Sequence, residues 1–241
     1  MRTYGLNFPG GTAILPRSEH WAQLIYAARG VMTVHAEEGS WVVPPHRALW
    51  VPPGLRHEIE MPGPVAMRTL YLSAALSQRL PKRCSVVNVS PLLRELILYA
   101  VRAGVLSRRV PEQRRIIGVL LDQLRVFETI ALQLPVPRDE RALRLVQFLR
   151  NYPDKAQTTV EAARIAAASP RTLERIFRQE TAMSFGRWRQ RFCLLRSLES
   201  LAAGMPVARV AERAGYRTPS AFIAMFKREL GATPSRYFQL A

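Results

Sequence analysis

The chain has 241 residues and a mass of 27.3 kDa, with 48% hydrophobic and 22% charged residues. This length and composition exclude a peptide-sized, disordered or disulfide-stapled protein and leave room for two modest domains. The formal net charge is +17, and only three of the 35 basic residues are lysine. The excess of basic residues is densest after Pro137, where the sequence has 19 basic and 9 acidic residues. A polyanion is therefore the first partner to consider.

The first 20 residues include Pro9, Gly10 and Gly11 in place of a continuous apolar segment. No stretch of 18 apolar residues occurs, so the sequence predicts neither a signal peptide nor a membrane span. The two cysteines, Cys84 and Cys193, lie in different halves of the chain. Such distant thiols indicate reduced side chains and a cytoplasmic protein.

Short apolar runs separated by glycine and proline extend from Trp21 to Leu72. The runs cover residues 21–29, 31–35, 41–43, 49–51, 57–61 and 66–72. Several short strands at this spacing predict an antiparallel barrel or sandwich.

The periodicity changes at Pro91, where two amphipathic helices are predicted. Their apolar stripes are Leu93, Leu96, Ile97 and Ala100, then Ile116, Ile117, Leu120, Leu121, Leu124 and Phe127. The segment Leu134-Pro-Val-Pro137 interrupts this pattern, and helical periodicity dominates after it. We therefore expect a strand-rich domain with two helices over residues 1–134, a linker over 135–138 and a helical domain over 139–241.

An internal repeat with an offset of 49 residues carries the strongest functional signal. It aligns Ala162–Trp188 with Ala211–Tyr237, and the identical pairs include Pro170/Pro219, Phe177/Phe226 and Glu180/Glu229. One supersecondary unit is therefore present twice.

Each repeat has the pattern of a helix-turn-helix. In the second copy Gly215 ends one helix, and Thr218 caps the next helix ahead of Pro219. In the first copy a Thr158-x-x-Glu161 capping box opens one helix and Ser169 caps the next. Ala166 occupies the position that aligns with Gly215.

The helix after Ser169 is predicted to bury Leu173, Ile176 and Phe177 and to present a basic face. Arginine can bind guanine and phosphate, and a carboxylate can accept from cytosine N4, so this face suits the major groove. The alternative is a solvated face on which Glu174 and Arg178 pair at i, i+4. The candidate DNA-binding residues of this face are Arg171, Thr172, Glu174, Arg175 and Arg178.

The corresponding face after Thr218 offers few base-specific hydrogen bonds. Its small side chains can contact thymine methyl groups, and its hydroxyl and ammonium groups can bind phosphates. We therefore expect the first helix to supply most of the sequence discrimination. The candidates of the second face are Thr218, Ser220, Ala221, Ala224 and Lys227, with Ile223 beside them.

A single helix of roughly 18 residues, about 27 Å long, is predicted between the repeats and is closed by Gly204. This length is comparable with the spacing of successive major-groove faces on a duplex. Trp188 lies on its apolar stripe, which favours a core residue over a base-stacking one. The stripe consists of Phe185, Trp188, Phe192, Leu195, Leu198 and Ala202.

The second half of the chain resembles the AraC/XylS family of transcription regulators. The resemblance lies in the segments from Ser169 to Arg178, Trp188 to Arg191, Val210 to Tyr216 and Pro234 to Tyr237. Ala182 and Cys193 depart from that pattern, which usually has glycine and arginine there. The resemblance covers residues 139–241 and implies a seven-helix DNA-binding domain with two helix-turn-helix motifs.

The N-terminal half resembles the cupin-type sensor barrel of such regulators through Gly30, Trp41, Pro44-Pro45, Ala48, Trp50 and Pro52-Pro-Gly-x-x-His57. The resemblance implies a β-barrel with two helices that binds a small-molecule effector and dimerises. Its candidate effector-binding residues are His20, Gln23, His35, Trp50 and His57.

Two other functions fit parts of the pattern. In a metal-dependent cupin enzyme, His20, His35, Glu37 and His57 could ligate iron or zinc, although His35-Ala-Glu37 lacks the expected His-x-His. A structural nucleoid protein would bind DNA without sequence preference.

The sequence as a whole favours a cytoplasmic transcription regulator that is not an enzyme and has no cofactor or metal. Its expected partners are double-stranded promoter DNA, a small-molecule effector, a second copy of itself and, for an activator, RNA polymerase. The short form resembles regulators of a neighbouring transporter gene.

Overall fold

The computed structural model describes residues 1–17, 20–125, 132–153, 155 and 158–239. The chain forms two compact units, the first mainly from residues 1–133 and the second mainly from residues 134–234. Residues from Ser235 onward group with the first unit. Phe127, the last residue of the predicted second stripe, lies outside the described residues.

The first unit is built on two five-stranded sheets, with strand orders β1-β8-β3-β6-β9 and β10-β5-β4-β7-β2. All six predicted apolar runs form strands, and β1, β2, β9 and β10 were not predicted. The strands are β1 (Arg2–Phe8), β2 (Thr12–Arg17), β3 (Ala22–Arg29), β4 (Met32–Ala36), β5 (Gly39–Val43), β6 (Arg47–Val51), β7 (His57–Met61), β8 (Val65–Leu72), β9 (Ser85–Asn88) and β10 (Gln133–Leu134).

In the described part of this unit, three helices accompany the sheets: α1 (Ala74–Ser77), α2 (Pro91–Ala103) and α3 (Pro111–Arg125). The predicted stripes of α2 and α3 pack on the outer face of the first sheet, because Leu93 and Leu120 share one buried cluster with Leu24 and Leu70. Side chains alternate across a strand, so the neighbouring residues of β3 and β8 face the other sheet. This alternation decides which candidate residues reach the inside of the barrel.

The described residues after the predicted linker form seven helices, as expected. They are α4 (Glu140–Asn151), α5 (Thr159–Ala166), α6 (Pro170–Thr181), α7 (Phe185–Ala202), α8 (Val207–Arg213), α9 (Pro219–Leu230) and α10 (Pro234–Gln239). The pairs α5–α6 and α8–α9 are the two helix-turn-helix units, and α6 and α9 begin 49 residues apart, as the repeat predicts.

The predicted caps of α6 and α9 are confirmed. The Ser169 hydroxyl accepts from the Thr172 amide at 3.1 Å, and Thr218 accepts from Ala221 at 3.3 Å. These bonds satisfy amides that have no partner inside the helix.

The turns inside the two helix-turn-helix motifs differ by one residue. The second motif, α8–α9, uses Gly215 at φ 81°, as predicted, whereas the first motif, α5–α6, uses Ala167 at φ 53°. Ala166, which aligns with Gly215, is still helical and buried, so the first turn has its left-handed residue one position later and without glycine. The first motif therefore has one residue fewer than the second between its left-handed residue and the residue that caps the next helix.

Among the helices of the described ranges, none is both long and apolar enough to span a bilayer.

Candidate functional site

Helix α6 buries one face and exposes a row of guanidinium groups on the other. Leu173, Ile176 and Phe177 are buried, as predicted. Arg171, Arg175 and Arg178 are exposed, and Thr172 is half-buried against the Ser169 hydroxyl at 2.9 Å. Arg175 donates to Gln179 at 3.0 Å on the same helix. This face is free to contact another molecule.

Glu174 has two local partners, of which the sequence anticipates only Arg178. Its carboxylate accepts from the backbone amide of Phe185 at 3.4 Å and lies 3.8 Å from the Arg178 guanidinium. The i, i+4 pair of the alternative interpretation is therefore present. Glu174 links α6 to the start of α7, so a contact with cytosine would have to compete with this link.

The face of α9 is exposed and poor in charge. Thr218, Ser220, Ala221, Ala224 and Lys227 are all exposed, and Ile223 is half-buried. Phe222, Met225 and Phe226 fill the opposite, buried face. The arginine-rich face of α6 and the small-residue face of α9 are thus both presented by helices of 12 residues.

Trp188 is a core residue, as expected. It is fully buried and lies 5.2 Å from the ring centroid of Phe177 and 5.6 Å from that of Phe192. Its indole nitrogen donates to the carbonyl of Pro135 at 2.8 Å. The 18-residue helix α7 is thereby anchored to the segment that precedes α4.

Two charged residues that hold the helices in place were missed. Arg189 is 7% exposed, donates to the carbonyls of Pro153 and of Lys155, the latter at 3.2 Å, and also contacts Cys193. Glu180 accepts from the backbone amides of Arg138 and Asp139 at 2.6 and 3.0 Å. The recurrence of Glu180 in the repeat was the available signal for the second contact.

A cavity of about 490 Å³ opens between the two sheets of the first unit. Its wall is largely aromatic, and its size is typical of small-molecule sites. The Arg2 guanidinium lies 5.4 Å from the Trp21 ring, and the rings of Tyr4 and Tyr71 meet edge to face at 5.8 Å. The lining residues are Arg2, Tyr4, Leu6, Phe8, Ile14, Trp21, Met67, Thr69 and Tyr71.

Two of the predicted effector-binding residues meet beside this cavity. The Gln23 amide donates to the Thr69 hydroxyl at 2.9 Å and to the Tyr71 hydroxyl at 3.1 Å. The other end of Gln23 lies 3.0 Å from Nε2 of His57, whose Nδ1 lies 3.0 Å from the Leu55 carbonyl. A polar network therefore joins three strands to the cavity wall.

The other three predicted residues lie elsewhere. Trp50 is fully buried in the cluster beneath α2 and α3, and its indole nitrogen donates to Pro81 at 2.8 Å. Because Leu24 pairs with Trp50 and Gln23 with Val51, Trp50 and Gln23 face opposite sides of the sheet. His35 pairs with Glu58 on the outer face of β4, and His20 is exposed before β3.

The ligand set considered for a metal-dependent enzyme is not assembled in the described residues. His57 belongs to the cavity network, and Glu37 is exposed after β4. His35 instead lies with Glu58 and Glu60, with ligand atoms within 4.8 Å of one another and Nε2 of His35 3.1 Å from Glu60.

Family models match both units of the chain. A model of the AraC-like ligand binding domain matches residues 13–145, which is more than half of the chain. A helix-turn-helix domain model matches residues 162–240. The chain belongs to the AraC family of transcription regulators. This chain thus combines a match to a ligand-binding domain with a match to a helix-turn-helix domain.

Curated relatives agree with the assignment of this AraC-family regulator. The HTH-type transcriptional regulator NimR of Escherichia coli strain K12 is 35% identical over 215 residues, covering 89% of this chain and 78% of that protein. RipA of Corynebacterium glutamicum is 39% identical over 106 residues, covering 43% and 31%. The arabinose operon regulatory protein of Escherichia coli strain K12 is 32% identical over 123 residues, covering 49% and 42%.

Proposed function

We propose that this regulator binds specific promoter sequences through α6 and α9 and responds to a small molecule held in the barrel cavity. The exposed arginine face of α6 within a duplicated helix-turn-helix carries the proposal. Guanidinium groups bind guanine edges in a bidentate manner with a planar pair of donors, which alanine cannot do. Because the protein would act on promoter DNA, we propose that it acts in the cytoplasm.

The two recognition helices, α6 and α9, contribute differently to DNA binding. Arg171 and Arg175 on α6 are exposed and lie one turn apart, so both can reach into one major groove. On α9, Ser220 and Ala224 occupy the corresponding positions and offer little base-specific hydrogen bonding. Helix α6 therefore supplies most of the sequence discrimination, and α9 supplies affinity and register.

Genome-wide mapping of bound DNA provides the operator needed to test this division. Binding of that operator and of scrambled DNA is then measured for Arg175→Ala, with Ser220→Ala as the control on α9. Loss of one bidentate contact weakens operator binding by about 1–3 kcal/mol and relaxes base preference at one position. The proposal fails if Arg175→Ala weakens both DNAs equally while Ser220→Ala alone relaxes base preference.

The same map tests whether a neighbouring transporter gene is a target. It also identifies candidate effectors, since the regulated genes indicate which compounds the cell handles. Whether those promoters are activated, with RNA polymerase as a partner, is measured by transcription in vitro.

The aromatic cavity beside the Gln23 network is the proposed effector site. A ligand that bonds Thr69 or Tyr71 competes with Gln23 and so alters the link to His57 on another strand. Fluorescence of Trp21, which lines the cavity, is expected to change on effector binding. Tyr71→Phe removes one network hydroxyl and should weaken effector binding, whereas Tyr99→Phe on the surface of α2 should not.

A homodimer is proposed for the intact chain. Apolar side chains remain exposed on the two helices of the first unit, with Leu92 52%, Tyr99 43% and Val119 44% accessible. Such residues are candidates for a subunit interface. Sedimentation of the parent and of a Leu92→Glu, Tyr99→Glu variant tests this, because a dimer through this face would dissociate.

A further inference from the structure

A second cavity, of about 430 Å³, lies among the helices of the first unit, apart from the barrel cavity. Three segments that are distant in sequence border it. Arg79 follows α1, Arg108 lies between α2 and α3, and Arg114 is in the first turn of α3. The family assignment gives these residues no role.

The three guanidinium groups are exposed, and the structure shows no ion pair or hydrogen bond for them with any described residue. The nearest acidic residue in sequence, Glu112, instead lies 3.5 Å from Arg115. Clustered like charges repel one another unless an anion lies between them. The cavity border is thus a concave, positively charged surface without a counterion from the described part of the chain.

The floor of this cavity is apolar. Leu76 and Ile117 are buried, and Leu121 is half-buried beside them. Gly118 also lines the cavity, and a Cβ atom added there would meet no atom within 4 Å. The absence of a side chain at Gly118 keeps the floor open. A ligand could therefore bury a small apolar body while its charges face the arginines.

We propose that this cavity, defined by Arg79, Arg108 and Arg114, binds a small phosphate ester or a similar dianion attached to an apolar body. Guanidinium groups match phosphate oxygens in charge and in hydrogen-bond geometry. The apolar floor distinguishes such an ester from free phosphate. The site gives this regulator a second small-molecule input, independent of the barrel cavity and of the DNA-binding helices.

Calorimetric titration of the full chain with phenyl phosphate and with inorganic phosphate at 0.15 M salt tests the proposal. Phenyl phosphate is expected to bind about tenfold more tightly, since burying its ring adds to the shared phosphate contacts. Arg114→Gln and Arg79→Gln should each weaken phenyl phosphate binding about tenfold, the loss of one charge-assisted contact.

Two further variants separate a built site from general attraction to a basic protein. Arg109→Gln removes the same charge beside Arg108 but outside the cavity lining, and it should change the affinity less than twofold. Gly118→Leu fills the floor and leaves every arginine in place, so it should abolish the preference for the phenyl ester. Operator binding by Arg79→Gln should be unchanged, which keeps this test separate from that of DNA recognition.

The proposal is overturned if the parent chain does not bind phenyl phosphate, or if it binds phenyl phosphate and free phosphate equally. It is also overturned if Arg109→Gln reduces the affinity as much as Arg114→Gln does. That result would mean that the anion follows the net charge of the chain and does not occupy this cavity.

Discussion

Ala182 ends the recognition helix α6 in a left-handed conformation, with φ 56° and ψ 21°. A side chain with a β-carbon pays roughly 1–2 kcal/mol for this conformation, and glycine does not. Glycine loses about 0.5–1 kcal/mol more backbone entropy on folding than alanine does. The difference predicts that Ala182→Gly stabilises the protein by about 0.5–1 kcal/mol, or roughly 1–4 °C in Tm for a chain of this size.

The matched control is Ala224→Gly, at an exposed position inside helix α9. There the same substitution removes the better helix former and costs about 1 kcal/mol. Thermal and urea unfolding of both variants beside the parent chain compare the two effects. If Ala182→Gly destabilises the protein as much as Ala224→Gly does, backbone conformation does not determine the helix end and the reasoning is wrong.

Three other substitutions test contacts within the individual units. The side-chain hydrogen bond from Arg141 lowers the pKa of Asp139 to about 2, so its carboxylate stabilises the fold above the ordinary value of 3.8 and this gain disappears as the pH falls towards 2. The stability difference between the parent and Asp139→Asn should therefore shrink over that pH range in urea titrations. Trp188→Phe leaves the Pro135 carbonyl without its donor and should cost about 1–3 kcal/mol in unfolding free energy. Gly30→Ala should cost about 2 kcal/mol or more by the same assay, because its Cβ would lie 2.2 Å from the Pro64 carbonyl oxygen at φ 82°; a smaller loss would show that the β3–β4 turn can shift.

The helical half of the fold was predictable because its signals are local. Caps such as Ser169 and Thr218 act within three residues of themselves, and the repeat supplied the same pattern twice. The shorter first turn was not predictable, because Ala167 can adopt a left-handed conformation only where tertiary contacts outweigh its cost. The alignment places Ala166 opposite Gly215, and in the structure the left-handed residue of the first turn is one position later.

The sheets were only partly predictable, since strand pairing is a long-range property. β1 pairs with β8 about 60 residues later in the chain, and most of its side chains are exposed. An exposed edge strand has no clear alternation of apolar and polar residues, so its sequence does not indicate a strand. The same holds for β2, where Pro16 lies within the strand and its register with β7 shifts.

The effector candidates show how far composition can indicate a site. Gln23, His57 and Trp50 were selected together as polar or aromatic residues of one barrel, yet a strand exposes alternate residues to alternate faces. The pairing of Gln23 with Val51 places Trp50 against the helices, and one residue of register would reverse this. Thr69 and Tyr71 complete the network only because β8 lies beside β3. Residues of a type suited to a ligand site could be read from the sequence, but which of them come into contact depends on the strand topology.

Regulation through either proposed ligand site would follow from linkage, without a direct contact between ligand and DNA. A ligand alters DNA affinity only to the extent that it binds the DNA-competent and DNA-incompetent states with different affinity. The Gln23 network can provide such a difference, because a ligand that takes the hydroxyls of Thr69 and Tyr71 changes what holds β3, β7 and β8 together. The cavity at Arg114 would provide another to the extent that its anion binds one of the two states more tightly than the other. Each ligand would then change the affinity for DNA by the same factor by which DNA changes the affinity for that ligand.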